Sequence, residues 1–389
     1  MVTNSPPAIL KVAAVIPARG GVTGASLALV HMMLGVVTRY PGRVKVVIIT
    51  SREALDYPAI KKLRLKGAEI MYIGLRRVPS AFYWLALAIR LLFLLRYGRI
   101  DIVHFSTPKV LVYLFPVARI VSRKVILSLE GYPPYELEEA TLLSKLLGIL
   151  AWRLSQKIAH RIAPCSEWLR RICIVAGIPE NKLATVHNPV DVERFATLST
   201  PGHVADRGVV KLLIVGRLHP VKGVDIALKA LALLRDEFGT RLFLRVVGEG
   251  PQRKLLTRLV SELQLEKQVA FLGYRHDVES LIQDSDIVLV PSRYEPFGMV
   301  AAEGGAAGRP VIVSRIGGLS EIVNDGVTGL LFAAGDPYDL AQKILTLSSD
   351  KSLAKRLGEN ARRRVSRLFA PEVIAEKIVE IYREVLKSK

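Results

Sequence analysis

Short runs of Val, Ile and Leu alternate with segments of helical periodicity along the chain, and the series is played twice. In the first series the strand-like runs are 9–16, 44–50, 68–73, 101–105, 124–129 and 161–164. The helical segments between and after them are 25–37, 53–65, 81–96, 110–121, 136–155 and 167–176. The second series has strands at 211–215, 242–247, 269–273, 287–290 and 310–313, with helices at 224–238, 252–263, 278–284 and 299–307. The strand runs are apolar throughout rather than alternating, the signature of strands buried on both faces, and strand–helix alternation builds parallel sheets. The pattern predicts an α/β chain of two doubly wound Rossmann-like domains, with ligands held where the carboxyl ends of the strands meet.

At 389 residues the chain is long enough for such cores, and half of it is apolar, so disorder is excluded as a general state. A linker rich in Ser, Thr, Pro, Gly and Asp at 197–208 predicts domains at 1–200 and 201–370, and 371–389 closes the chain as a helix. Cys165 and Cys173 have neither metal-ligand spacing nor a disulfide framework, and no signal peptide is read at the N-terminus. The expected compartment is therefore the cytoplasm. The 19-residue charge-free run 20–38 opens on Gly-Gly-Val-Thr-Gly after a strand, which suits a buried helix better than a membrane span.

The stretch richest in chemistry is Arg293-Tyr294-Glu295-Pro296-Phe297-Gly298-Met299-Val300-Ala301-Ala302-Glu303. An apolar run feeds it and small helix formers follow, so a strand, a tight loop and a helix N-terminus are expected. Pro296 suits a first helical position. The amides of Gly298, Met299 and Val300 would then point out of the positive helix end, a ready anion site. Glu295 and Glu303, acceptor-only carboxylates, flank that cradle. A ligand with hydroxyls at both ends and phosphates between them fits.

Other strand ends carry glycine turns. Gly20-Gly21 follows the first strand but lacks the Gly-Lys-Ser/Thr of a Walker loop and the Gly-x-Gly-x-x-Gly spacing of dinucleotide binders. Gly216-Arg217 and Lys222-Gly223 follow the first strand of the second series, where two cations could neutralise a departing diphosphate. Gly248 closes the next strand, and Gly273-Tyr274-Arg275 the one after.

Together these segments, with Gly317-Gly318-Leu319-Ser320-Glu321 and Asn324-Asp325-Gly326, resemble the donor site of the family-4 retaining glycosyltransferases, which have the two-domain GT-B fold. The resemblance is strong over 209–335 and weak before 200. It implies a hexosyltransferase with a nucleoside-diphosphate sugar as donor and a sugar, lipid-linked or phosphorylated acceptor on the first domain. Catalytic roles fall on Glu295, Arg217, Lys222 and His104. Donor-binding roles fall on Gly20, Gly21, Gly216, Arg217, Lys222, Gly248, Tyr274, Arg275, Glu295, Phe297, Gly298, Met299, Val300 and Glu303, and acceptor-binding roles on His104 and Glu130. Glu303 would hold the ribose and Glu295 the hexose.

The chain departs from the family pattern at Ser106 and Glu130, where members often carry histidines, so a structural His104 stands beside the catalytic one. No cofactor or resident metal is obligatory; Mg²⁺ would come only with the donor. Asp284-Ser285-Asp286 precedes its strand, unlike a metal-binding Asp-x-Asp. In the family the last helix packs back on the first domain.

The net charge of +20 is uneven. Residues 1–199 hold 27 Lys and Arg against 12 Asp and Glu, and residues 200–389 hold 28 against 23, leaving +15 and +5. Lys61, Lys62, Arg64, Lys66, Arg76 and Arg77, beside the apolar 81–96, suggest peripheral docking on an anionic inner membrane face. A thermophile's charge-rich surface is the alternative. Nucleic acid is not an expected partner, because no interleaved aromatic and basic motif accompanies the charge. A two-lobed solute-binding protein and an epimerase of the same fold are the rival functions.

Overall fold

The computed structural model describes residues 9–16, 24–73, 88–89, 92, 100–107, 111, 114, 124–131, 142–196, 208–238 and 241–388. The chain divides into two compact units, Met1–Pro189 with Pro371–Lys389, and Val190–Ala370.

The first unit holds a six-stranded sheet of β1 (Leu10–Ile16), β2 (Val44–Ser51), β3 (Glu69–Ile73), β4 (Ile102–Phe105), β5 (Lys124–Leu129) and β6 (Arg161–Pro164) in the order β3-β2-β1-β4-β5-β6. All neighbours run parallel. Strands β4 to β6 lack alternation because they are buried along almost their whole length. The helix Gly24–Arg39 covers one face and packs against the last helix, Pro371–Lys387. Their backbones cross so closely that a Cβ at Gly35 would lie 2.0 Å from the Pro371 carbonyl oxygen. Arg39 Nη2 meets Glu376 Oε1 at 2.6 Å along the same contact. The core there joins Ile16, Leu29, Met33, Ile48, Ile378 and Tyr382.

The second unit repeats the topology with β7 (Val210–Val215), β8 (Leu242–Val247), β9 (Val269–Gly273), β10 (Ile287–Val290), β11 (Val311–Ser314) and β12 (Leu330–Phe332), ordered β12-β11-β10-β7-β8-β9. Leu212, Ile214, Leu231, Leu244, Ile287 and Phe332 form its core.

The structure refines several expected elements. The segment 53–65 is a 3₁₀ turn, Arg52–Asp56, followed by a helix, Pro58–Leu65. Pro58 forces the break, since the residue before a proline avoids helical ψ and Tyr57 sits at ψ 131°. The short helix Val192–Ala196 belongs to the second unit, where the Val190 amide donates to Phe369 O at 2.8 Å, so the change of unit comes before position 200. The expected linker lies almost wholly outside the described residues.

Strand β12 and the helices Pro337–Ser349 and Lys351–Phe369 extend the second unit beyond the strand–helix alternation read from the sequence. Both helices carry legible caps. The Asp336 side chain accepts from the Tyr338 and Asp339 amides, and that of Asp350 from the Leu353 amide. No helix among the described residues is long and apolar enough to cross a membrane.

Candidate functional site

In a doubly wound sheet the strand order reverses at one point, and ligands lie beyond the carboxyl ends of the strands there. In the second unit that point falls between β7 and β10, which are adjacent although two strands intervene in sequence. The segments leaving them are 216–223 and 291–298, and together with residues 299–303 after the second they hold nine of the fourteen expected donor residues.

These segments are stitched together by backbone. Gly223 has φ +64°, and a Cβ there would lie 1.9 Å from the Pro291 carbonyl oxygen, so only glycine permits the approach. The Arg293 amide donates to Val221 O at 2.7 Å. A third turn closes from beneath: Gly318 N donates to Glu295 O at 3.0 Å, and a Cβ on Gly317 would come within 2.2 Å of that oxygen.

On this frame Lys222 Nζ donates to Glu295 Oε2 at 2.7 Å, and Ser292 Oγ donates to the same oxygen at 3.1 Å. The Glu295 side chain is 13% exposed and that of Lys222 30%, so the pair lies at the surface of the cradle, reachable yet shielded. Arg217 is exposed and has no ion-pair partner among the described residues. Arg293 donates from Nη1 to Pro220 O at 2.9 Å and forks onto Asp225 with two bonds of 2.7 Å. Burial acts to raise the Asp225 carboxyl, but the hydrogen bonds and charge of Arg293, aided by Lys229, outweigh it and hold the group below the usual range.

The helix of the anion cradle is Met299–Ala306, with Gly298 as its N-cap at φ +110°. Pro296 therefore lies three residues before the helix rather than at its first position; the chain turns at Gly298, where the left-handed conformation is free of Cβ strain. The amides of Gly298, Met299 and Val300 have no partner among the described residues, as the first turn of a helix requires. The Phe297 side chain faces the core, edge-on to Phe369 with ring centroids 5.5 Å apart, so this residue can meet a ligand only through its backbone.

Glu303 sits a turn into the helix, partly exposed as a residue. Burial pushes its carboxyl up to about 7, Arg194 opposing and Glu279 adding to the rise. Arg194 and Glu279 themselves pair at 2.7 Å. Gly216 and Gly248 spend their amides on Val247 O (2.9 Å) and Gly273 O (2.8 Å), so they offer a close approach rather than donors. Beyond β9, Tyr274 is 65% exposed and edge-on to His276, while Arg275 forks onto Asp277.

In the first unit His104 is fully buried. Its Nδ1 is 2.7 Å from the Tyr382 hydroxyl and its Nε2 2.9 Å from Ser128 Oγ. Burial lowers its pKa to about 3. A neutral ring with both nitrogens engaged in the core is a structural histidine, and the geometry offers no free nitrogen for catalysis or for an acceptor. Ser106 is buried too. Glu130 lies at the end of β5, hydrogen-bonded by Asn188 Nδ2. Gly20 and Gly21 fall outside the described residues, as do Arg76, Arg77 and most of 81–96.

Asp284 and Asp286 lie at the amino end of β10, away from the cradle. Asp284 pairs with Lys211 Nζ (2.6 Å) and Arg245 Nη1 (2.9 Å), and Asp286 accepts from the Lys211 amide at 2.7 Å. Both are structural. Nothing in the sequence marks a role for Ser292, Arg293 or Asp225, whose neighbourhood appears only when the two segments meet across the sheet.

Two sequence families match. Glycosyl transferases group 1 covers residues 201–364, and Glycosyltransferase Family 4 covers residues 34–194. This chain is a family-4 glycosyltransferase of the GT-B fold. The family-4 chain is 33% identical over 214 residues to N-acetyl-alpha-D-glucosaminyl L-malate synthase of Bacillus anthracis, covering 54% of this chain and 56% of that one. It is 35% identical over 182 residues to the D-inositol 3-phosphate glycosyltransferase of Corynebacterium glutamicum, covering 45% and 43%. The matched stretch thus spans about half the length of these curated relatives. A crystal structure of Anabaena HepE in complex with UDP-glucose superimposes with a TM-score of 0.77 at 23% identity, covering 96% of this chain and 100% of that one. The likeness to HepE is one of fold.

Proposed function

We propose that this family-4 glycosyltransferase moves a hexosyl group from a nucleoside-diphosphate sugar to an acceptor hydroxyl, with retention at the anomeric carbon. The observation that carries the reading is the cradle at the β7–β10 switch point: the Lys222–Glu295 pair, the exposed Arg217 and the amides of 298–300, which have no partner among the described residues. In the reaction the bond from the anomeric carbon to the diphosphate oxygen breaks and the electron pair leaves with the diphosphate. The acceptor oxygen bonds to the same face and its proton passes to the departing phosphate oxygen. Arg217, Lys222 and the helix amides stabilise that growing negative charge, the largest contribution preorganised donors make. Glu295 orients the hexose hydroxyls and Glu303 the ribose hydroxyls.

The names of two relatives, an N-acetyl-alpha-D-glucosaminyl L-malate synthase and a D-inositol 3-phosphate glycosyltransferase, support an anionic or phosphorylated acceptor taken by the first unit. The UDP-glucose complex of HepE makes UDP-sugars the first donors to try. The test is thermal-shift screening of UDP-, GDP- and ADP-sugars, since a ligand that binds the native state raises its melting temperature. Nucleotide release measured with and without acceptor follows. Release that needs acceptor supports transfer; product formed from donor alone marks an epimerase.

A second element concerns location. The helix Pro58–Leu65 exposes Lys61 and Arg64, Lys66 is exposed directly after it, and Leu65 among them is 88% exposed. Cations around a protruding leucine suit docking on an anionic membrane surface.

A further inference from the structure

The two groups that handle the donor in the proposed reaction, Lys222 and Glu295, stand on different segments, and neither segment is regular structure. Lys222 ends a single 3₁₀ turn, Pro220–Lys222, and Glu295 lies in a loop. Such elements do not hold a side chain to ångström precision by themselves. One residue bridges them. Arg293, two positions before Glu295, donates its amide to Val221 O, its Nη1 to Pro220 O, and its guanidinium fork to Asp225, on the helix that opens after Lys222. Those bonds flank Lys222 on both sides of the chain, at 220–221 and at 225.

We propose that Arg293, anchored by Asp225, is the positioning residue that fixes Lys222 and Glu295 as one unit. The planar fork suits the task, because it can satisfy a carboxylate at two points while a spare N–H holds a carbonyl. A lysine has one ammonium for the same three acceptors. Arg293 is itself partly exposed and acts through the segments it ties together rather than on the donor. The inference rests on the transferase reading, and its test separates the two.

The variants are Arg293→Ala, Arg293→Lys and, should the first fail to fold, Asp225→Asn, each in the full chain. The first readout needs no activity: reductive methylation of surface amines, with peptide mapping of the rate at Lys222. Glu295→Gln marks the rate of an unpaired Lys222, and Lys343, paired with Asp339 on a distant helix, is the internal reference. In Arg293→Ala the Lys222 rate should rise several-fold towards the Glu295→Gln value, with Lys343 unchanged and Arg293→Lys between. The second readout is kinetic. Arg293→Ala should lower kcat about 10- to 100-fold, the scale of an ångström-sized misplacement, and should recover partly in Arg293→Lys. Combined with Lys222→Ala it should add little to the loss from Lys222→Ala alone, because both changes act on one group. A wild-type Lys222 labelling rate in folded Arg293→Ala, or kcat losses that multiply, would overturn the proposal. Should no nucleotide-sugar support transfer, the reaction reading fails while the labelling result still decides the positioning role.

Discussion

Lys222 and Glu295 are 73 residues apart in sequence and form one ion pair, 2.7 Å from nitrogen to oxygen, where the strand order of the second unit reverses. A cation and an anion held together at the mouth of a site give a donor both of its needs, a counter-charge for phosphate and an acceptor for hydroxyls. They also make the two residues energetically inseparable, since removing one leaves the other half-shielded and unpaired.

Lys222→Ala and Arg217→Ala should each cost about 2–4 kcal/mol of transition-state stabilisation, the scale for losing one preorganised donor. Their effects on the fold should differ. Arg217 is exposed, so its removal should leave the melting temperature unchanged, whereas Lys222→Ala also strips the Glu295 carboxylate of its counter-charge, leaving it the Ser292 hydroxyl. Steady-state kinetics of both variants within a few-fold of wild type would contradict the assignment.

Glu303 links binding to pH. With its carboxyl pushed up to about 7, it is half-protonated near neutrality, and only the ionised form accepts from both ribose hydroxyls. Donor KM should therefore fall as pH rises from 6 to 8, and Glu303→Gln should give a higher, flat profile. Stability runs the other way. The folded value lies above the ordinary carboxylate value of 4.5, so this stabilising contribution is full below 4.5 and is lost as pH rises through about 7. Melting curves should show Glu303→Gln gaining on wild type from pH 5 to pH 8.

His104 has the opposite sign. Its folded value of about 3 lies below the ordinary 6.5, so its contribution is full above 6.5 and is lost as pH falls towards 3. Each pH unit within that window should remove about 1.4 kcal/mol, and urea unfolding at stepped pH measures it. Tyr382→Phe, which removes the hydroxyl beside Nδ1, should cost about 1–3 kcal/mol while leaving kcat at low temperature near wild type. A large loss of kcat in a folded Tyr382→Phe protein would return His104 to the chemistry.

Docking on lipid predicts co-sedimentation with anionic but not zwitterionic vesicles. Each engaged cation contributes about 1 kcal/mol, and screening should weaken attachment sharply as the Debye length falls from about 10 Å at 0.1 M salt to about 3 Å at 1 M. Changing Lys61, Lys62, Arg64, Lys66, Arg76 and Arg77 to Gln should abolish pelleting, and Leu65→Ser should reduce it. Equal pelleting of wild type and the six-fold variant would remove membrane docking.

The fold was legible because its strands are continuous apolar runs closed by glycine turns. Runs such as Ile287–Val290 have few other ways to be buried, and their ends came out to the residue. The breaks were harder to see. Tyr57 before Pro58 could have been read, but the stop at Leu234 between the helices Val224–Leu233 and Arg235–Phe238 has no comparable signal. Site residues whose role is chemical, Lys222 and Glu295 above all, stood out by type and spacing. Arg293 and Asp225 did not, because an Arg and an Asp 68 residues apart look like ordinary surface charges until β7 and β10 lie side by side. His104 is ambiguous in the sequence for the converse reason. A histidine near a strand end is what an active site uses, and its burial under Tyr382 comes from a helix nearly three hundred residues later.

That last contact bears on how the protein is made. The first unit is written in two pieces, and the piece carrying Tyr382 follows the whole of the second unit. In synthesis residues 190–370 are made before the helix Pro371–Lys387. Until that helix is made, the first unit lacks the Gly35–Pro371 approach and the hydroxyl partner of His104. A chain cut short anywhere before Pro371 therefore leaves the first-made unit unfinished, even when the break lies within the second.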